Sequence, residues 1–144
     1  MSAGNVAAFE RGIEALNRRD TDALLEIVDP DVEWHPAIQS RLAGDAVAFR
    51  GHQGVREMMR DFYDTFGEIR FEASEVHEIA DSVLGIGRLR VRGVGSGAET
   101  ESPIAYLADF REARVVRVRT YLDPDQARRV AGVTHPSGAT GEAG

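Results

Sequence analysis

The sequence predicts an α+β domain. Helical periods fill the first half, alternation of period two takes over from Ile69, and one more capped helical stretch follows Asp123. At 144 residues the chain fits one domain, long enough to bury roughly two-thirds of its unfolded surface. We read residues 1–132 as that domain and residues 133–144, which end in THPSGATGEAG, as a disordered tail.

Val6, Phe9, Ile13 and Leu16 recur at three- and four-residue spacing and predict a first amphipathic helix. After NRRD, Asp20 or Thr21 can cap a short second helix carrying Leu24, Leu25 and Val28, which Pro30 is expected to stop. DVEWH then reads as a short strand and AIQSRLAGDAVAFR as a loop. Gly51 opens a third helix with Val55, Met58, Met59, Phe62 and Phe66 on one face and Gly67 as its C-terminal cap. Strands are predicted at about 69–80, 82–92, 99–111 and 114–122, with turns at Asp81-Ser82, GVGSG and Glu112-Ala113. Asp123, Pro124 and Gly132 have the positions of cap, first helical residue and stop signal for the last helix.

Composition narrows the function classes. A net charge of -7 and a pI near 5.1 argue against nucleic acid as a partner, since such proteins carry a basic footprint. An acidic bacterial enzyme has the same balance. Without cysteine, disulfides, thiolate chemistry and cysteine-bound zinc are excluded. His35, His52, His77 and His135 have no close ligand spacing, so no metal site is expected. No apolar run reaches the roughly 20 residues of a membrane span, and MSAGNVAAFERG lacks the apolar block of a signal peptide, so the expected location is the cytoplasm, with no membrane partner. GVGSG is followed by no helix that could receive a phosphate and reads as a hairpin turn.

The faces of the sheet follow from the cost of burying charge. In the strand from Val83, Arg88, Arg90 and Arg92 share a face with Leu84 and Ile86, while Val83, Gly85, Gly87, Leu89 and Val91 form the other. The arginine face should point away from the helices, and the two glycines could leave space for a ligand. In the last strand Val116, Val118, Thr120 and Leu122 are expected inward. A two-residue turn at Glu112-Ala113 would set Leu107 opposite Val118 and Ala105 opposite Thr120, bringing Asp109 inward and sending Tyr106, Phe110 and Tyr121 outward among arginines. That outer composition predicts a homodimer interface, although a one-residue slip would exchange the faces.

Candidate site residues centre on VEWHP. His35 is held extended by Pro36, and an imidazole is suited to moving a proton near neutral pH. Asp109 could orient it or serve as the acid. Trp34, Met58, Met59, Phe62 and Tyr63, with Leu89, Leu107, Val118, Thr120 and Leu122, are the expected apolar lining.

AFERGIEALNRRDTDALLEIVDPDVEWHP, FRGHQGVREMMRDFY and ARVVRVRTYLDPDQARRVAG together resemble the SnoaL-like group of the nuclear transport factor 2-like superfamily. The resemblance implies a cone: a curved antiparallel sheet wrapped around three N-terminal helices, with a short C-terminal helix, an apolar pocket at the open end and frequent dimers. It includes ketosteroid isomerases, polyketide cyclases, epoxide hydrolases and dehydratases, so function must be argued at the site. Compared with ketosteroid isomerases, the base falls at His35, but the two oxyanion donors fall at Gly12 and about Ala105, which donate nothing. The aspartate–arginine–aspartate set of epoxide hydrolases falls at Gly87, Leu89 and Thr120. Of the paired histidines of dehydratases, only His77 could join His35. The reading is therefore a small apolar molecule in the cone cavity, with cofactor-independent proton transfer of isomerase or cyclase type by His35; the alternatives are a non-catalytic binding module and a dimeric interaction module.

Overall fold

The computed structural model describes residues 2–36 and 48–133, so most of the AIQSRLAGDAVAFR loop and the tail beyond Val133 lie outside the described residues. The first helix, α1, spans Ser2–Asn17 and α2 spans Thr21–Glu26. Asp20 caps α2 by accepting the Ala23 N–H at 3.0 Å. Pro30 does not end this helix. Ile27 does, and β1 already runs over Val28–His35. Pro30 sits where the register of β1 shifts between Val28 and Glu33, a place where a residue without an N–H is tolerated.

After β2 (Phe49–Arg50), α3 occupies Gly51–Thr65 and passes directly into β3 (Phe66–Ile79). Phe66 is already extended, with φ -122° and ψ 123°, so Gly67 belongs to the strand and is not the predicted cap. β4 (Ser82–Gly93), β5 (Glu99–Arg111) and β6 (Arg114–Tyr121) lie within a residue of the predicted ranges. The α4 helix (Pro124–Ala131) has the predicted ends: Asp123 accepts the Asp125 N–H, and Gly132 stops it with φ 87°.

The strands order as β2-β1-β6-β5-β4-β3 in one curved, unclosed sheet. All neighbours are antiparallel except β1 and β6, which run parallel and join the two ends of the chain. The α+β cone class holds. At the free edge Asn17 substitutes for a neighbouring strand: its amide accepts from the Phe71 N–H at 2.7 Å and donates to the Phe71 carbonyl at 3.0 Å. This pins the end of α1 to β3. No helix among the described residues is long and apolar enough to cross a membrane.

The main core lies between α1, α3 and the concave face of the sheet, and includes Phe9, Leu16, Val55, Met59, Val83, Leu89, Val91 and Ile104. Arg88, Arg90 and Arg92 point outward, as their cost of burial requires, and meet Glu101, Glu99 and Glu68. Leu84 and Ile86 on that same outer face are nevertheless fully buried. With Ala105 and Leu107 they form a second core, which α4 covers with Ala127. The two glycines do not open ligand space. A side chain at Gly85 would collide with the ring of Phe9, and one at Gly87 would run into the backbone of Glu72 and Ala73, where β3 bulges.

The predicted register of β5 against β6 is corrected by one residue. The two-residue turn is present, with Arg111 opposite Arg114, but Phe110 pairs with Val115 while Asp109 pairs with Arg117. Val116 is thus an extra residue on β6, and such a bulge turns every later pair around. Tyr106, Ala108 and Phe110 therefore face the main core, while Ala105, Leu107 and Asp109 face out. The expected subunit interface loses Tyr106 and Phe110 and keeps only Tyr121 of its aromatic residues.

Candidate functional site

α1, α3 and the concave sheet enclose a cavity of about 290 Å³. One wall is α3, where Met58, Met59 and Phe62 repeat at helical spacing. Leu16 on α1 and Trp34 and Pro36 at the end of β1 form a second wall. Leu89, Ile104, Tyr106 and Thr120 form the floor. Asp61, Thr65 and Phe66 stand at the rim, where the rings of Phe62 and Phe66 meet edge to face at 5.3 Å. Behind Leu16, Trp34 and Tyr106 a smaller apolar space of about 50 Å³ continues towards Phe9, Gly12 and Val118.

Tyr106 and Thr120 are direct partners across β5 and β6. The Tyr106 ring is held edge to face by Phe71 at 5.0 Å, and burial pushes its phenol well above the ordinary tyrosine range, so it stays protonated. Thr120 Oγ1 is buried and has no hydrogen-bond partner among the described residues.

The structure thus brings together Trp34, Met58, Met59, Phe62, Leu89 and Thr120 of the predicted lining. Val118 lines only the inner space, and Leu122 packs against the core. Tyr63 stands outside the cavity wall: its hydroxyl donates to the Leu16 carbonyl at 3.4 Å, and the Arg19 guanidinium lies 4.7 Å above its ring. Leu107 belongs to the outer core. Leu16, Ile104 and Tyr106 were not predicted as lining. The first sat on a recognised helical period, whereas the other two depended on the β5 register.

His35 does not face the cavity. Neighbours along a strand point to opposite sides, so with Val32 and Trp34 in the core, Glu33 and His35 share the outer face. There His35 Nε2 lies 3.0 Å from Glu33 Oε1, and Glu33 also pairs with Arg50. The hydrogen bond from His35 is the main cause that holds the Glu33 carboxyl below the usual range, against the opposing effect of burial and with help from Arg50. Asp109 is on the same outer side, accepting from Ser82 at 2.7 Å, Arg117 Nε at 2.9 Å and Arg119 at 3.4 Å. It is therefore not placed to serve the cavity. His77 also faces out, 2.8 Å from Glu75. His35 and His77, the pair that the dehydratase comparison left open, each close a local pair with a glutamate.

Solved structures share this architecture. An NTF2-like protein of unknown function from Burkholderia pseudomallei is 25% identical, with 89% of this chain and 97% of that one covered and a TM-score of 0.74. TerC, co-crystallised with polyporic acid, is 22% identical with 90% and 98% covered and a TM-score of 0.73. A Catenulispora acidiphila protein with a ketosteroid isomerase-like fold, crystallised with trimethylamine, is 12% identical with 88% and 92% covered and a TM-score of 0.70. No curated protein matches the sequence. The SnoaL-like domain matches residues 9–118, from the Phe9 that packs on Gly85 to the Val118 of the inner space, and the chain belongs to that SnoaL-like family.

Proposed function

We propose that this chain binds a small, largely apolar molecule in the cavity between α3 and the sheet. The cavity itself carries the reading. Protein interiors leave few voids larger than a water molecule, because an unfilled space forfeits dispersion contacts. At about 290 Å³ it is roughly twice the ~150 Å³ that accepts a benzene ring, which suits a two-ring scaffold. Its walls are apolar apart from a few hydroxyls and the carboxylate at the rim, the usual make-up of a small-molecule site. Polyporic acid in TerC and trimethylamine in the Catenulispora protein support the same use of the fold.

Binding without a histidine base is favoured over the isomerase or cyclase reading, since the imidazole of His35 lies on the far side of the sheet from the cavity. The test is thermal stabilisation by a panel of bicyclic aromatics, terpenoids and steroids. The expected result is stabilisation by the two-ring compounds, lost in Ile104→Phe, which fills the floor. A panel that leaves the wild-type melting temperature unmoved overturns the reading.

A further inference from the structure

We infer that Asp61 makes this cavity selective for cations: the preferred ligand is a small apolar ring body bearing an ammonium group, with the body inside and the charge at the mouth. This selectivity rests on the binding reading above and gives the ligand its charge.

Met58, Met59, Leu89 and Ile104 offer the interior nothing that stabilises a charge. Asp61 is the only acidic or basic side chain among the described residues that line the cavity, and it is exposed at the rim. Its own helix supplies no counter-ion. On α3 the residues three and four places away, which share its face, are Glu57, Met58, Asp64 and Thr65. Arg60 is the preceding residue and points about 100° around the helix axis. Arg56 is engaged with Asp22 at 3.0 Å. The Thr65 hydroxyl donates to the Asp61 backbone carbonyl at 2.9 Å and so does not cover the carboxylate.

The aromatic part of the rim suits the same partner. Phe62 follows Asp61 directly, and its ring meets that of Phe66 edge to face at 5.3 Å. A cation within about 6 Å of an aromatic face is attracted by the ring quadrupole. An ammonium at the mouth keeps water on its outer side, so no full desolvation cost opposes it while the ring body fills the apolar interior. A carboxylate on the same body meets Asp61 as a like charge and finds no cation among the described lining residues.

The experiment is equilibrium dialysis of the full chain, at neutral pH and low salt, with 2-naphthylmethylamine, 2-naphthalenemethanol and 2-naphthoate. An exposed ion pair and an exposed cation–π contact are each weak, and together correspond to about 5-fold in affinity. We expect the amine to bind about 5-fold tighter than the alcohol, with the naphthoate the weakest. The gap should narrow to within about 2-fold in about 0.5 M salt, where exposed charges are screened. Asp61→Asn should bring the amine to within about 2-fold of the alcohol and leave alcohol binding unchanged, whereas Asp61→Glu should keep the preference. Asp64→Asn removes the same charge from a residue that does not line the cavity, and should keep the preference too. That control separates Asp61 from the general pull of a chain with net charge -7. Equal binding of amine and alcohol, a preference that survives Asp61→Asn, or one lost equally in Asp64→Asn overturns this inference alone. Failure of all the probes, the alcohol included, overturns the cavity reading together with it.

Discussion

The ring of Phe9 fills the space directly over Gly85, so the missing side chain on β4 is what lets α1 settle against the sheet. The nearest atoms are the far end of the ring, which is itself buried in the core and has little room to retreat. Gly85→Ala should therefore destabilise the fold by about 1–3 kcal/mol, the range for overpacking a closed core. Chemical denaturation measures it. The cost should fall in a Phe9→Leu background, because the shorter side chain vacates the contested space. Additive effects of the two substitutions would show that the collision is not the cause.

The hairpin joining β5 and β6 turns through Glu112 and Ala113 with φ of 54° and 67°. Side chains with a Cβ pay roughly 1–2 kcal/mol to sit in that left-handed region, and two-residue hairpins of this kind favour asparagine followed by glycine. Ala113→Gly should stabilise the protein, by up to about 1 kcal/mol once the extra freedom of glycine in the unfolded chain is counted. An unchanged or lower denaturation midpoint would mean that the strain is absorbed elsewhere.

Asp109 ties three groups on the outer face, Ser82, Arg117 and Arg119. Asp109→Asn keeps the shape and removes the charge. The pairs are partly exposed and screened, so the expected loss of stability is about 1–2 kcal/mol. The affinity of a cavity ligand should stay within about 2-fold of wild type, because the carboxylate lies across the sheet from the pocket. A variant of normal stability that loses ligand binding would contradict the register of β5.

How much of this was legible depended on whether the signal was local. Asp123, Pro124 and Gly132 mark both ends of α4 within a few residues, and the helix forms there. Arg88, Arg90 and Arg92 assign the faces of β4 by charge alone. β5 has no such marker: Tyr106, Leu107 and Ala108 are all acceptable in a core, so its faces hang on a register set at the hairpin. One extra residue, Val116, reverses them. What escaped the outer-face reading was α4 itself. An amphipathic helix folded over Leu84, Ile86 and Leu107 makes a second core where a subunit-facing surface was expected. The placing of His35 is a different case. The alternation in VEWHP already separates Val32 and Trp34 from Glu33 and His35, and a strand cannot turn both Trp34 and His35 into one pocket.

Arg128 holds α4 on that second core, donating to Glu75 at 2.8 Å and to Asp125 at 2.6 Å, while His77 meets the other oxygen of Glu75 at 2.8 Å. Burial alone would raise the Glu75 carboxyl, but the hydrogen bonds from His77 and Arg128 outweigh it and hold the group below its usual 4.5. A depressed folded-state value means stability that is present above the unfolded value and is lost as pH falls through the folded one. The contribution of Glu75 should thus be intact at neutral pH and fade below about 4.5, in the same window as that of Glu33. Glu75→Gln removes it at every pH. The variant should be less stable than wild type near neutral pH, and the gap in urea midpoints should narrow steadily on acidification. A gap that stays constant down to about pH 3 would show that the carboxylate charge is not what fastens the helix.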